Sequence, residues 1–262
     1  MPAPPTTGSG DPARRLEVAV AVITGSASGI GRASARLFAR HGATVVGIDR
    51  DGAGNDSLAA ELRTEGLAIE VHTADVADRV DVARAAEAIA DRHERVDVLF
   101  NNAGAHVAAT LQQTTAQLWQ ELLDVNLTSA FTCTAALLPC LERSAAASVI
   151  HHASLDALFG NPSIAAYSVA KGGLIPLTHV GAHEFGKLGI RVNCIASGGV
   201  ATGMMIDAMR DHIAQVTPLG RVGDPEEVAR VALFLASADS SFVNGAVITV
   251  DGGRSGLTAG TV

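Results

Sequence analysis

From Leu16 to Val250, short runs of β-branched and aliphatic residues alternate with longer stretches in which Ala, Leu and Val recur every three or four positions. The short runs are Val18–Ile23, Thr44–Ile48, Ile69–Thr73, Val96–Phe100, Ser148–His152, Arg191–Ile195 and Ala246–Val250. Their length and β-branched content predict strands. The stretches of helical period are Gly31–His41, Ser57–Glu65, Val80–Glu94, Ala116–Arg143, Ala165–Phe185 and Pro225–Ala236. Strand–helix alternation at this spacing implies parallel strands joined by right-handed crossovers, which lay helices on both faces of the sheet. The expected fold class is therefore α/β: a single Rossmann-fold domain over residues 16–262, with a doubly wound, parallel, seven-stranded sheet. Residues 1–15, rich in Pro, Gly and small polar side chains, bury nothing and are expected to form a disordered N-terminal tail.

Composition narrows the class. Aromatics make up 3% of the 262 residues against an apolar fraction of 48%, so Ala, Val, Ile and Leu must fill the core, which suits buried parallel strands under Ala-rich helices. A net charge of -8, with no basic cluster longer than Arg14-Arg15, excludes a nucleic-acid footprint. No apolar run reaches membrane-spanning length and the N-terminus lacks a signal pattern, so no membrane partner and a cytoplasmic location are expected. Cys133, Cys140 and Cys194 have no metal-ligand spacing and are expected to be reduced thiols.

Candidate chemistry sits at the predicted strand ends. The first strand runs into Thr24-Gly25-Ser26-Ala27-Ser28-Gly29-Ile30-Gly31 and then a helix. Such glycines permit a tight turn and close approach to a pyrophosphate, whose charge then meets the positive helix N-terminus. Asp49 ends the second strand, where a carboxylate accepts hydrogen bonds from ribose hydroxyls and repels a 2′-phosphate. Arg50 beside it favours a phosphate, whereas Ser28 is neutral; the balance favours NAD over NADP. Asp75-Val76 and Asn101-Asn102-Ala103-Gly104 follow the third and fourth strands, where the ligand crevice of such sheets lies. Finally, Tyr167 and Lys171 are one helical turn apart, so the cation is expected to draw the phenol down from its usual pKa of about 10 and equip it for proton transfer.

Together with Asn126 and with Ser154, thirteen residues before Tyr167, these motifs resemble the short-chain dehydrogenase/reductase family over about residues 16 to 255. The resemblance implies a catalytic tetrad of Asn126, Ser154, Tyr167 and Lys171 beside a nicotinamide. Tyr167 would be the general acid or base, Ser154 a donor to the substrate oxygen, Lys171 a ligand of the nicotinamide ribose, and Asn126 the holder of a proton-relaying water. It further implies that Gly25, Ser28, Gly29, Ile30, Gly31, Asp49, Arg50, Asp75, Val76, Asn102, Ala103, Gly104, Tyr167, Lys171, Val200 and Thr202 bind the cofactor. In relatives the helical pair Ala116–Arg143 and Ala165–Phe185 forms a dimer interface. Leu118, Leu122, Phe131, Leu137, Leu141 and Leu177 make both helices apolar around much of their circumference, and in relatives the C-terminal strand, here ending Asp251-Gly252-Gly253, helps build a tetramer, so the resemblance implies a homotetramer.

Two departures from the family pattern stand out. Ser197-Gly198-Gly199 replaces the usual Pro-Gly after the sixth strand, and His151-His152-Ala153-Ser154 replaces Asn, an apolar residue and Ser. Adjacent strand residues face opposite ways, so the paired histidines are not expected to share a metal, and no metal is expected elsewhere. Pro176 is expected to kink its helix. The segment of about 203–216, with Met204, Met205 and Met209, is read as a substrate lid, with Leu155, Leu158, Phe159 and His106 completing the pocket. The expected substrate is a small, uncharged, fairly apolar secondary alcohol or ketone. The alternatives are a 3-oxoacyl carrier-protein reductase using NADPH and, in another class, a catalytically silent nucleotide sensor or scaffold; the chain is too short for the extra domain of an epimerase or dehydratase.

Overall fold

The structure, a computed structural model, describes residues 14–67, 69–205 and 207–256, with the side chain of Asp207 excepted. Most of the N-terminal tail, residues 1–13, lies outside the described residues, while Arg14 and Arg15, which composition assigns to that tail, form ion pairs with Glu17 and Asp239. Seven strands, β1 (Val20–Thr24), β2 (Thr44–Asp49), β3 (Ile69–Thr73), β4 (Val98–Asn101), β5 (Ser148–Ser154), β6 (Arg191–Ser197) and β7 (Val247–Val250), form one sheet in the order β3-β2-β1-β4-β5-β6-β7. Every neighbouring pair is parallel. The order reverses between β1 and β4, which opens a crevice beyond their carboxyl ends.

Alternation along the strands sorts the core into two layers. Ala21, Ile23, Val45, Val98, Phe100, Ile150 and Ile195 face one side, under α1 (Gly29–Arg40), α2 (Gly52–Thr64) and α9 (Pro225–Ala236). Val22, Val46, Ile48, Leu99, Val149 and Val192 face the other, under α3 (Arg79–Arg92), α5 (Ser129–Leu141) and α7 (Ala165–Gly186). Both faces are thus dry, and side chains such as the fully buried Phe38 and Phe100 each contribute roughly 2–3 kcal/mol relative to exposure.

Several boundaries depart from the periodicity. Strand β1 starts two residues later than expected because Val18 holds a left-handed conformation (φ 59), rare for a β-branched residue, with its carbonyl accepting from Arg95. Helix α2 starts five residues earlier than its apolar pattern suggests: the Asp51 side chain accepts from Gly54 N at 3.0 Å, and this cap outweighs the low helix propensity of Gly52 and Gly54. The long helix expected over Ala116–Arg143 is three pieces: α4 (Ala116–Leu123), a π-helical turn at Asp124–Thr128, and α5. Taken end to end, Ala116–Leu141 is long and apolar enough to cross a membrane, unlike the reading from apolar runs. Part of that apolarity lies inside the domain, where Leu122, Cys133, Leu137, Cys140 and Leu141 are buried, while Phe131 is exposed. Helix α7 runs unbroken through Pro176, which lies on its exposed side.

Candidate active site

A cavity of about 590 Å³ fills the crevice at the carboxyl ends of the strands. At one end lie Asp49, Arg50, Asp75 and Val76; the glycine turn and Asn102-Ala103-Gly104 form the middle; Ser154, Tyr167 and Lys171 stand at the other end. The two loops are bolted together. Thr24 Oγ1 accepts from the amides of Asn102 (3.0 Å) and Ala103 (3.1 Å), while Asn102 Nδ2 donates to the Thr24 carbonyl at 2.9 Å. Gly25 has φ +71, and a Cβ there would sit 2.9 Å from Ala103 Cα, so only glycine fits this crossing. Ser28 is the N-cap of α1 but makes no side-chain cap, leaving first-turn amides available to the cavity it lines, the arrangement that favours a phosphate. The Asp49 oxygens accept from Ala27 N and Asp51 N at 2.9 Å each, which fixes the carboxylate at the cavity lip beside the exposed Arg50. These residues fit a dinucleotide cofactor laid from Asp49 to Tyr167.

Of the catalytic and cofactor-binding residues expected above, the cavity wall includes all but two. Gly31 lies behind the turn, where a Cβ would fall 1.9 Å from the Gly25 carbonyl oxygen; it serves close helix–turn packing. Asn126 is 1% exposed and sits in the π-turn. Its Oδ1 accepts from Ala105 N at 3.1 Å, and its Nδ2 donates to the carbonyls of Ala105 (2.8 Å) and Leu122 (2.9 Å). Capturing the Leu122 carbonyl with a side chain suits a widened turn, and π-turns of this kind recur at functional sites. A Cβ on Gly104 would approach Asn126 Oδ1 to 2.7 Å and Lys171 Nζ to 3.0 Å, so Asn126 and Lys171 meet across the Cα of that glycine.

The reacting end is built on β5 and α7. Lys171, 3% exposed, donates to the His152 carbonyl at 2.8 Å, and its Nζ stands 5.9 Å from the centroid of the Tyr167 ring. Burial brings the ammonium down to about 8 and pushes the Tyr167 phenol up to about 12. The Ser154 hydroxyl pulls the phenol downward and the Asp156 carboxylate pushes it upward, but desolvation outweighs both. The expectation that Lys171 depresses the tyrosine is thus corrected: one-turn spacing brings the cation near the ring, yet the phenol's desolvation dominates.

The two departures from the family pattern meet each other. His152 Nε2 is 3.0 Å from Ser197 Oγ, and its Nδ1 is 3.0 Å from Asn102 Oδ1. Because Asn102 already donates through Nδ2, its oxygen requires a proton on His152 Nδ1, and Nε2 then accepts from the Ser197 hydroxyl. The glycine turn, β5 and the Ser197-Gly198-Gly199 loop are thereby tied through one imidazole. His151 points the other way, with Nδ1 3.3 Å from Asn101 Nδ2. Burial, reinforced by the Lys171 charge, lowers His151 to about 4 and His152 to about 3. Among the described residues no three His, Cys, Asp or Glu side chains gather as a metal ion would need, and His179 and His183 are exposed on α7.

On the substrate side, Met204, Met205 and Met209 line the cavity with Ile164, Ile213 and His106; Met209 and Ile213 come from α8 (Asp207–Val216). Ile206, inside the expected lid, lies outside the described residues. Leu155, Leu158 and Phe159 do not line it: Leu155 is buried, while Leu158 and Phe159 are exposed on the short helix α6 (Asp156–Phe159). Sequence reasoning assigned that stretch by its apolarity and missed Asp156, the one carboxylate there, which lines the wall two residues from Ser154.

A doubly wound sheet whose crevice joins an uncapped helix N-terminus to a Ser–Tyr–Lys group defines a dinucleotide-dependent oxidoreductase. A family model described as enoyl-(acyl carrier protein) reductase matches residues 25–255. The chain is 39% identical to a 3-oxoacyl-[acyl-carrier-protein] reductase of Thermotoga maritima, over 91% of this chain and 98% of that one. It is 39% identical to a meso-2,3-butanediol dehydrogenase of Serratia marcescens, over 91% and 95%. Among solved structures, a putative gluconate dehydrogenase from Agrobacterium tumefaciens superposes with a TM-score of 0.89 at 30% identity, over 94% of this chain and 99% of that one. The chain belongs to the short-chain dehydrogenase/reductase family. It is an NAD(P)-dependent oxidoreductase acting on CH–OH groups.

Proposed function

We propose that this protein interconverts a small secondary alcohol and its ketone with NAD, with Tyr167 as the general acid and base. The observation that carries the reading is the convergence of Ser154, Tyr167 and Lys171 at one end of a cavity whose other end holds the Asp49 carboxylate. When bound, NAD takes or gives the hydride at the substrate carbon. Tyr167 exchanges the proton of the substrate oxygen, and Ser154 donates to that oxygen as its charge changes. Lys171 holds the nicotinamide ribose, and Asn126, whose amide is committed to Ala105 and Leu122, braces the Gly104–Ala105 backbone beside it. The Met-lined wall admits the carbon skeleton.

Asp49 supports NAD over NADP: a fixed carboxylate accepts the adenosine ribose hydroxyls and repels a 2′-phosphate. Initial rates with the two reduced cofactors are expected to favour NADH by at least about 10-fold in kcat/KM, and Asp49→Ala should narrow that ratio, since a charged contact is worth roughly 1.5–3 kcal/mol. A wild-type preference for NADPH would overturn the assignment. The similarity to the Thermotoga maritima enzyme favours a second reading, reduction of a carrier-bound 3-oxoacyl group. Against it stands Asp49, whose carboxylate opposes the 2′-phosphate of NADPH.

The outer faces of α5 and α7 leave Phe131, Val169 and Val180 exposed, and Phe242, before β7, is fully exposed. We infer that these surfaces pair copies of the chain into a homotetramer. Light scattering at micromolar concentration should give four times the chain mass of 26.7 kDa; a monomer would refute it.

A further inference from the structure

Asp156 is not explained by proton transfer. It opens α6, is half-buried, and lines the cavity beside Ser154. Ser154 Oγ donates to its Oδ2 at 3.1 Å, its backbone N–H donates back to Ser154 Oγ at 3.1 Å, and Asn161 Nδ2 donates to its Oδ1 at 3.2 Å. Asn161 is itself anchored, its N–H donating to Ser168 Oγ at 3.0 Å on α7. Two elements therefore hold one carboxylate in place, and among the described residues it has no ion-pair partner. A carboxylate at this site raises the tyrosine's pKa, which by itself opposes oxidation. Its chemistry suits recognition instead.

We propose that Asp156 binds a second hydroxyl on the carbon next to the reacting one, which makes vicinal diols and the matching α-hydroxy ketones the substrate class. An ionised carboxylate only accepts hydrogen bonds, so the ligand group facing it must donate. Ser154 is the donor aimed at the reacting oxygen, and Asp156 Oδ2 lies 3.1 Å from that donor. Neighbouring oxygens of a gauche vicinal diol are also separated by about a hydrogen-bond length, so one oxygen can face Ser154 and Tyr167 while the other faces Asp156. When Ser154 turns its O–H from Asp156 Oδ2 to the substrate oxygen, an Oδ2 lone pair is freed for that second hydroxyl. A substrate with a carboxylate or phosphate at the adjacent carbon meets like charge there. The rest of the wall, Met204, Met205, Met209 and Ile164, fits a short apolar remainder.

The inference rests on the alcohol–ketone reading above, and the test separates the two. Wild type, D156A and D156N are assayed with NAD on matched pairs: meso-2,3-butanediol against 2-butanol, and cis-1,2-cyclohexanediol against cyclohexanol. Wild type should favour each diol by at least about 10-fold in kcat/KM, with the gap mainly in KM. D156A should lower the diol value about 10- to 100-fold further than the monoalcohol value, the span of one charge-assisted hydrogen bond. D156N keeps an acceptor oxygen and should recover part of the diol preference, which loss of local structure would not restore. Equal use of diol and monoalcohol by wild type, or an unchanged ratio in both variants, overturns the role of Asp156 while leaving alcohol oxidation intact. Wild type inert toward every alcohol and ketone tested overturns the underlying reading and this inference with it.

Discussion

Tyr167→Phe should lower kcat by about 10²- to 10⁴-fold, the range of a positioned acid–base group, with the affinity for NADH essentially unchanged. Only the hydroxyl is lost, and the ring keeps its edge-on contact with His106, 5.9 Å between centroids. Tyr167 is the chain's only tyrosine, so the alkaline phenolate absorbance of the wild-type protein reports this one group. That absorbance should rise near pH 12 rather than near 10, because burial disfavours the phenolate. The sign carries to stability. A folded pKa above the unfolded one means the folded state keeps its proton longer, so this contribution is present below pH 10 and lost as pH climbs through 12. Substantial turnover by Tyr167→Phe would remove the phenol from the mechanism, whatever the titration shows.

The second large effect is on the acid side. His151 and His152 are folded as neutral groups, at about 4 and about 3, against an ordinary value of 6.5. Their folded values lie below the unfolded one, so the stabilisation is present above pH 6.5 and is lost as pH falls toward 4 and 3. At about pH 5 the loss is on the order of 2 kcal/mol for each, at 1.36 kcal/mol per unit. Together they claim a sizeable part of a margin of roughly 5–15 kcal/mol. Thermal melts at neutral pH and near pH 5 should show a fall of about 10 °C attributable to the pair, by the usual 2–4 °C per kcal/mol at this size. The double variant His151→Asn, His152→Gln should be weaker at neutral pH, since His152 bridges Asn102 and Ser197, yet flatter with acid. An identical acid slope in wild type and variant would show that neither imidazole controls it; His179→Gln, on the exposed face of α7, is the control.

What was legible in the sequence was local. The glycine turn, the Asn101–Gly104 turn and the Tyr167–Lys171 spacing each sit within a few residues, so their types and intervals survive without knowledge of the fold, and the cavity brings them together. The Met segment was legible for the same reason. The histidine pair was read correctly as far as strand alternation goes, with His151 and His152 facing opposite ways. Less was visible wherever partners come from different strands. Nothing in the order of residues couples His152 to Ser197, 45 positions away, until β5 and β6 lie side by side. Asp156 was hidden by its neighbours: an apolar reading of Leu155, Leu158 and Phe159 made that stretch a pocket wall, whereas the turn of α6 sends Leu158 and Phe159 to the surface and leaves the carboxylate facing in.

By itself the sequence determined the parallel doubly wound sheet, because strand–helix alternation with right-handed crossovers leaves few topologies, and it determined which loops gather at the strand ends. Only the tertiary structure decided the protonation of the site and its polarity toward substrate. The pKa of a phenol or an imidazole follows from how much water the packed neighbours remove, and that is set by contacts across the sheet. For the same reason the phenol stays protonated although Lys171 lies one turn away in the sequence: desolvation by the packed neighbours outweighs the nearby charge.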